Sequence, residues 1–295
     1  MILFFSKFAK NNTDMRKTLS CLALITYISG LCVSPAEVRF NNEEADTTRI
    51  TDILIALDKM NLSNPQMLVS EAGSKLLGTP YVAATLECNP EQLTVNTDGM
   101  DCTTFVETAI ALAMTVDANR TSWHDFINNL EQIRYRGGRV NGYPSRLHYV
   151  SEWIIDNSHR GLMTEVTNRI ANTNTQIKTI EYMSRHRDAY PALADSANFE
   201  GIKNMEMGYR SHKYYYIKPT NLPSADLKEG DIVALTTNIK DLDVTHMGII
   251  KMVDGVPHLM HASSKQGKVI VDALSLSDYL KRNRTQGIRV FRLAQ

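Results

Sequence analysis

Cysteine is scarce in this sequence. Four cysteines in 295 residues are too few for a disulfide-built scaffold, so the fold has to rest on a hydrophobic core. Neither sign of charge is in excess: 32 Lys and Arg face 32 Asp and Glu. That balance removes the electrostatic reason to expect nucleic acid or an acidic polymer as partner. The chain shows no internal repeat and no low-complexity tract, which argues against a repeat architecture and against disorder. Past the N-terminal segment no long apolar run occurs, so no membrane-spanning helix is expected there. What is present is an ordinary globular composition, 43% hydrophobic and 22% charged, with chain enough for one large domain or two small ones.

The N-terminal segment has the pattern of an export signal over residues 1–36. Arg16 and Lys17 form a basic start, residues 19–33 are mostly apolar, and Ser34-Pro35-Ala36 offers small residues for cleavage after Ala36. Met15 is an alternative start, and a membrane anchor is the competing reading. The apolar run is shorter than the roughly 20 residues that a spanning helix needs. Leu31 before Cys32 makes a poor lipidation site. The mature protein is therefore expected to be soluble, monomeric and outside the cytoplasm. Cys21 and Cys32 leave with the signal, and Cys88 and Cys102 remain. They form either a disulfide or a reactive thiol with a buried bystander, and the sequence around Cys102 favours the second.

Helical spacing is expected over 41–60, where Ile50, Ile53, Leu54 and Leu57 recur and Thr47 or Thr48 can cap, and over 64–77, where Pro65 suits a first turn. The plainest helix runs over 102–116, capped by Asp101, with Phe105, Val106, Ala109, Ile110 and Ala113 on its apolar face. Helices are expected at 123–134 and 148–157, the latter burying Trp153. Residues 161–223 are polar and mixed, with strands expected at 163–170 and 175–180 and a helix near 191–207. This stretch reads as an insertion, bounded at about 137–223, within a single domain over 37–295. From Asp231 onward the pattern is β: strands at 232–235, 246–253, 256–261, 269–271 and 288–293, with a short helix near 276–281. Asp254-Gly255 is a hairpin turn signal.

Chemistry gathers at three residues. Cys102 falls in the first turn of its helix, where free amides and the helix dipole favour a thiolate and can hold an oxyanion. His246, in Thr245-His246-Met247-Gly248, opens a strand of small and branched residues, and Gly248 allows a close approach. His261 lies at a similar remove from the hairpin turn, so the two imidazoles are expected side by side, one as base and the other as its orienter. His258 is offset and weaker. A zinc site is disfavoured, because no third ligand stands at a usual spacing; neither a metal nor another cofactor is expected. Glu107 reads as structural.

Together, Gly78-Thr79-Pro80-Tyr81, Asp101-Cys102-Thr103-Thr104-Phe105-Val106-Glu107, Thr245-His246-Met247-Gly248-Ile249 and Leu259-Met260-His261-Ala262-Ser263-Ser264 resemble the NlpC-type cell-wall cysteine peptidases. Ile133-Arg134-Tyr135-Arg136-Gly137-Gly138 and Arg146-Leu147-His148-Tyr149 resemble the larger Bacteroides-type branch, the N-acetylmuramoyl-L-alanine amidase-like proteins. The resemblance implies an α+β, papain-like fold with N-terminal helices and a nucleophile helix packed on an antiparallel sheet. It implies cleavage of muropeptides between the sugar lactyl group and L-alanine by a Cys102-His246-His261 triad. Tyr81 is then an oxyanion donor or substrate contact, and Arg146 and His148 are candidates to bind substrate carboxylates. The alternatives are a γ-D-glutamyl-diamino acid endopeptidase of the same fold and a non-catalytic wall-binding protein.

Overall fold

The computed structural model describes residues 38–294. The expected export signal, with Cys21 and Cys32, lies outside the described residues. The helices, in chain order, are α1 (Glu43–Asp58), α2 (Pro65–Lys75), α3 (Cys102–Asp117), α4 (Trp123–Arg134), α5 (Val150–His159), α6 (Thr167–Ile170), α7 (Tyr182–Arg185), α8 (Ser196–Met207) and α9 (Leu276–Arg282). The strands are β1 (Arg39–Phe40), β2 (Thr94–Val95), β3 (Met163–Glu165), β4 (Asn174–Lys178), β5 (His212–Tyr216), β6 (Ile232–Thr236), β7 (Val244–Val253), β8 (Val256–Ser263), β9 (Lys268–Ser275) and β10 (Gly287–Leu293).

Local chemistry explains where the N-terminal helices start. Asn64 accepts from the amides of Gln66 and Met67, and Pro65 takes the position where a missing N–H costs nothing. On α1 the cap is Asn42, which accepts from the Ala45 amide, and not Thr47 or Thr48. Glu43, Glu44 and Asp46 fill the first turn, where negative charge suits the dipole. Thr47 instead lies inside the helix and bonds back to the Glu43 carbonyl. Asp101 accepts from the Thr103 and Thr104 amides, and the Thr104 hydroxyl accepts from the Asp101 amide. This reciprocal box fixes the start of α3 at Cys102.

The central sheet is antiparallel throughout, in the order β3-β10-β6-β7-β8-β9. Alternation sends Ile232, Ala234, Met247, Ile249 and Met260 to a core shared with α1–α4. It sends Val233, Leu235, Ile250, Leu259 and Val290 to a second core under α9. Asp254 and Gly255 turn the β7–β8 hairpin with φ of 50° and 77°, the left-handed pair that a two-residue turn needs.

Residues 161–223 divide in two. Met163–Glu165 pairs with β10 and belongs to the central sheet, so the expected strand at 163–170 is cut short by the helical turn at Thr167–Ile170. In the rest, β4 and β5 form their own two-stranded sheet, tied to β10 by the backbone bridge between Ile217 and Ile288. A third apolar cluster of Tyr143, Tyr149, Ile180, Met183, Leu193 and Ile202 ties α7 and α8 to the start of α5. In the tyrosine run, Tyr214 and Tyr216 are buried and Tyr215 is exposed, the alternation of a strand with one wet face.

Glu107 is structural, as expected. It is buried with Arg134, whose Nε donates to Oε2 at 2.6 Å while Nη1 donates to the Thr94 carbonyl at 2.6 Å. The bond ties α3 to α4 and to the β2 edge. Removing one member strands a buried charge, at a cost of roughly 3–5 kcal/mol. Glu107→Ala is expected to lower the unfolding free energy by about that amount in a denaturant titration.

Candidate active site

Cys102 is the first residue of α3, and its amide is the one at this turn that Asp101 does not cap; that N–H turns instead to the residue's own sulfur. The thiol receives hydrogen bonds from the Met247 backbone, from Thr103 and from its own amide, yet burial outweighs them and pushes it up to about 11, with the Asp101 carboxylate adding to the rise. The expected thiolate at a helix start is thus reversed. The capping carboxylate offsets the dipole at the position where it would act, and the packed surroundings penalise charge. Cys88 is free as well, near the Gln92 carbonyl and the Thr94 hydroxyl, so the two form no disulfide.

His246 enters from β7, opposite Leu235 of β6. It shares with Cys102 a cavity of about 170 Å³ that Thr103, His148, Tyr149 and Tyr190 also line. Its Nε2 lies 2.6 Å from Nδ1 of His261, with the rings nearly perpendicular at 88°. The contact is diagonal. The hairpin register pairs Ile249 with Met260, so His261 stands one step on, at the level of Gly248. A Cβ on Gly248 would meet the Met260 carbonyl oxygen at 2.8 Å and the His261 Cβ at 3.2 Å; the missing side chain leaves room for His246 to lean across. His261 is 2% exposed, and Tyr279 of α9 packs edge-on with ring centroids 5.4 Å apart. Burial pushes His246 down to about 4, against the pull of Asp101. Burial and the His246 charge push His261 down to about 3. At neutral pH the resting site is therefore a neutral thiol beside two neutral imidazoles.

The remaining expected residues fall in different places. Tyr81 stands near Cys102: burial first, then the charges of Cys102 and Asp101, push its phenol up, so it stays a donor. His148 lines the Cys102 cavity but shares a hydrogen bond with the Tyr143 carbonyl at 2.9 Å, and burial pushes it down to about 3. It offers no positive charge to a carboxylate. Arg146 is buried and committed: Nη2 meets Glu87 at 2.7 Å, Nε lies 3.6 Å from Glu91, and the guanidinium sits over the Tyr143 ring. Sequence reasoning missed a second cavity, of about 470 Å³, on the far side of the histidines, which Lys265, Asp272, Tyr279 and Arg282 help to line. Lys265 follows directly on the Ser263-Ser264 motif, the one signal that pointed there.

With this geometry in place, comparisons define the class. The chain belongs to the AmiA-like family, described as N-acetylmuramoyl-L-alanine amidase-like, whose model matches residues 71–288. A crystal structure of an N-acetylmuramoyl-L-alanine amidase from Bacteroides uniformis is 39% identical, covers 77% of this chain and 99% of its own, and superposes with a TM-score of 0.72. A protein from Bacteroides fragilis described as a putative xylanase is 42% identical, covers 75% of this chain and 99% of its own, with a TM-score of 0.69. A Legionella pneumophila protein, 20% identical over 86% of this chain and 96% of its own with a TM-score of 0.65, shares the fold. No functionally curated protein matches the chain.

The buried neutral histidines carry a stability signature. An unfolded histidine takes up its proton near pH 6.5, whereas His148, His246 and His261 resist protonation down to about 3 or 4. Below pH 6.5 the unfolded chain binds protons that the folded chain refuses, so stability is full above 6.5 and is lost as pH falls toward the folded values. Glu152, pushed up to about 7 by burial, works in the opposite sense over the same interval, but three histidines outweigh one carboxyl group, so the denaturation midpoint is expected to drop between pH 6.5 and 5. A flat midpoint across that interval contradicts the assignment.

Proposed function

We propose that the protein is a cysteine hydrolase of the papain-like NlpC type, cutting the amide between the lactyl group of N-acetylmuramic acid and L-alanine in muropeptides. The observation that carries the reading is the meeting of Cys102, at the capped start of α3, with His246 in one cavity, His246 being bonded in turn to His261. Membership of an amidase-like family supports the bond type. The expected export signal suits a substrate outside the cytoplasm.

Because the resting thiol is neutral, the reaction begins with proton transfer. The free imidazole nitrogen of His246 takes the Cys102 proton as sulfur attacks the lactyl carbonyl. The uncapped Cys102 amide and the Tyr81 hydroxyl stabilise the oxyanion. His246 then gives its proton to the departing alanine amine, and water, deprotonated by the same imidazole, hydrolyses the thioester. His261 holds His246 in place throughout. The leaving amine has to lie beside the imidazole, so the stem peptide extends into the cavity beyond the histidines. There Lys265 and Arg282 face the stem carboxylates, the role first expected of Arg146 and His148. The uncharged sugar half lies on the Cys102 side, under Met183 and Tyr190 of the inserted segment.

Glycoside hydrolysis, the chemistry in the name of the Bacteroides fragilis neighbour, usually needs a pair of carboxyl groups across the substrate. Asp243 is the one carboxylate among the described residues lining the Cys102 cavity, and its oxygens accept from the Ser151 and Val244 amides at 2.6 and 2.8 Å. It is committed to structure.

The test is incubation with N-acetylmuramoyl tetrapeptide and mass analysis of the products. Release of the intact stem peptide from the sugar is expected. Release of N-acetylmuramoyl-L-Ala-D-Glu, with the sugar still attached, would instead identify an endopeptidase. Replacing both Lys265 and Arg282 with Ala is expected to raise KM about tenfold or more, the scale of one or two charge-assisted hydrogen bonds, with kcat little changed.

A further inference from the structure

Strand β9 carries an aspartate that the reaction above does not use. We propose that Asp272 is a positioning residue: its carboxylate sets the tautomer of His261, and through it the tautomer of His246, so that the nitrogen of His246 left for Cys102 is the one able to accept a proton. The inference rests on the reading of His246 as the base of Cys102.

The argument is one of proton placement. His246 Nε2 and His261 Nδ1 are 2.6 Å apart, and both rings are neutral at rest. One of the two nitrogens must therefore carry the hydrogen and the other a lone pair. If His261 Nδ1 carries it, His246 has to hold its own proton on Nδ1, and neither nitrogen of His246 is then free to take the thiol proton. If His246 Nε2 carries it, His246 Nδ1 is a free base and His261 has its proton on Nε2. The hydrogen bond between the rings does not choose between these states.

The environment of His261 Nε2 does choose. That nitrogen is buried with no hydrogen-bond partner, and Oδ2 of Asp272 lies 3.8 Å from it. A lone pair facing a carboxylate is repelled, whereas an N–H facing it is attracted. Asp272 is held in this aim. Its Oδ1 accepts from the Leu274 amide at 2.9 Å, which leaves Oδ2 toward the imidazole, and its side chain is 19% exposed. The strand itself is shaped for the purpose. His261 pairs with Ile270 and Met260 with Val271, but the register then slips, so that His258 pairs with Ser275. Three residues of β9 (Asp272, Ala273 and Leu274) thus oppose Leu259 alone. A bulge of this kind re-aims side chains beside a site. Tyr279, packed against His261 from α9, is pushed up to about 12 by burial and by the Asp272 charge, so it stays neutral and does not compete for the tautomer.

Asp272→Asn is a pointed test, because it does more than remove a charge. The Leu274 amide keeps the carboxamide oxygen at the Oδ1 position, so the NH2 group faces His261 Nε2 and demands a lone pair there. The pair is driven into the unproductive tautomers, much as when the aspartate of a serine-protease triad becomes asparagine. In protein labelled with 15N-histidine, the imidazole ¹H–¹⁵N couplings at pH 7 are expected to report Nε2–H on both His246 and His261 in the wild type and Nδ1–H on both in Asp272→Asn. Asp272→Glu is expected to restore the wild-type pattern at least in part. With muropeptide, Asp272→Asn is expected to lose roughly a hundredfold in kcat with KM within about twofold, a smaller loss than in the protease because the aspartate acts through an intervening ring. A wild-type His261 protonated on Nδ1, or a folded Asp272→Asn with unchanged tautomers, overturns the proposal. The wild-type spectrum decides even if the variant does not fold. It also decides if muropeptide is not cleaved, an outcome that would sink the reaction proposed above and leave the tautomer question standing on its own.

Discussion

Asp101 ends an extended segment and begins a helix in one step. By accepting from the Thr103 and Thr104 amides, and by donating its own amide to the Thr104 hydroxyl, it fixes the residue at which α3 starts. The thiol, the uncapped Cys102 amide and the direction of the helix are all set by that choice. A cap shifted by one residue would rotate Cys102 by about 100° around the axis of a helix with 3.6 residues per turn and carry the sulfur away from β7. Since α3 is buried along most of its length between α2, α4 and the sheet, it has no freedom to rotate back. The cap is a local interaction, but its position is made rigid by the core.

The other half of the site depends on a similar pairing of local and global terms. The Asp254-Gly255 turn sets the register of β7 against β8, and Gly248 supplies the space that lets His246 cross diagonally to His261. Burial then does what a solvated site would not. It holds the thiol up and both imidazoles down, so the cysteine and the two histidines rest uncharged, and the proposed reaction has to start by moving a proton. An uncharged pair tolerates a dry cleft, where the oxyanion donors are strongest.

Much of this was legible in the sequence, for physical reasons that can be named. The range 123–134 and the Pro65 start of α2 follow from spacing and capping chemistry alone. The hairpin turn and the strands around it follow from Asp254-Gly255 and from alternation. Cys102 and both histidines were visible as residue types in telling places. The cap of α1 was misplaced although Asn is the better capper; the reciprocal bonds of Asn42 with Ala45 and Asp46 and the contact of Asp46 with Thr97 show where the helix begins. The thiol's upward shift was invisible because the local rule, a helix dipole at a first-turn cysteine, is overridden by tertiary burial. Arg146 was drawn to substrate by its chemistry, but Glu87 and Glu91, far off in sequence, claim it. Asp272 and the bulge that aims it leave no trace in spacing, since a register slip appears only when both strands are seen.

The proposed mechanism stands or falls on one sulfur atom. The most direct measurement is turnover of N-acetylmuramoyl tetrapeptide by Cys102→Ala beside the wild type, with circular dichroism to show that both are folded. The account predicts a loss of at least about a thousandfold, the scale on which removal of a covalent nucleophile is felt. A folded Cys102→Ala protein that still releases the stem peptide at the wild-type rate would contradict it.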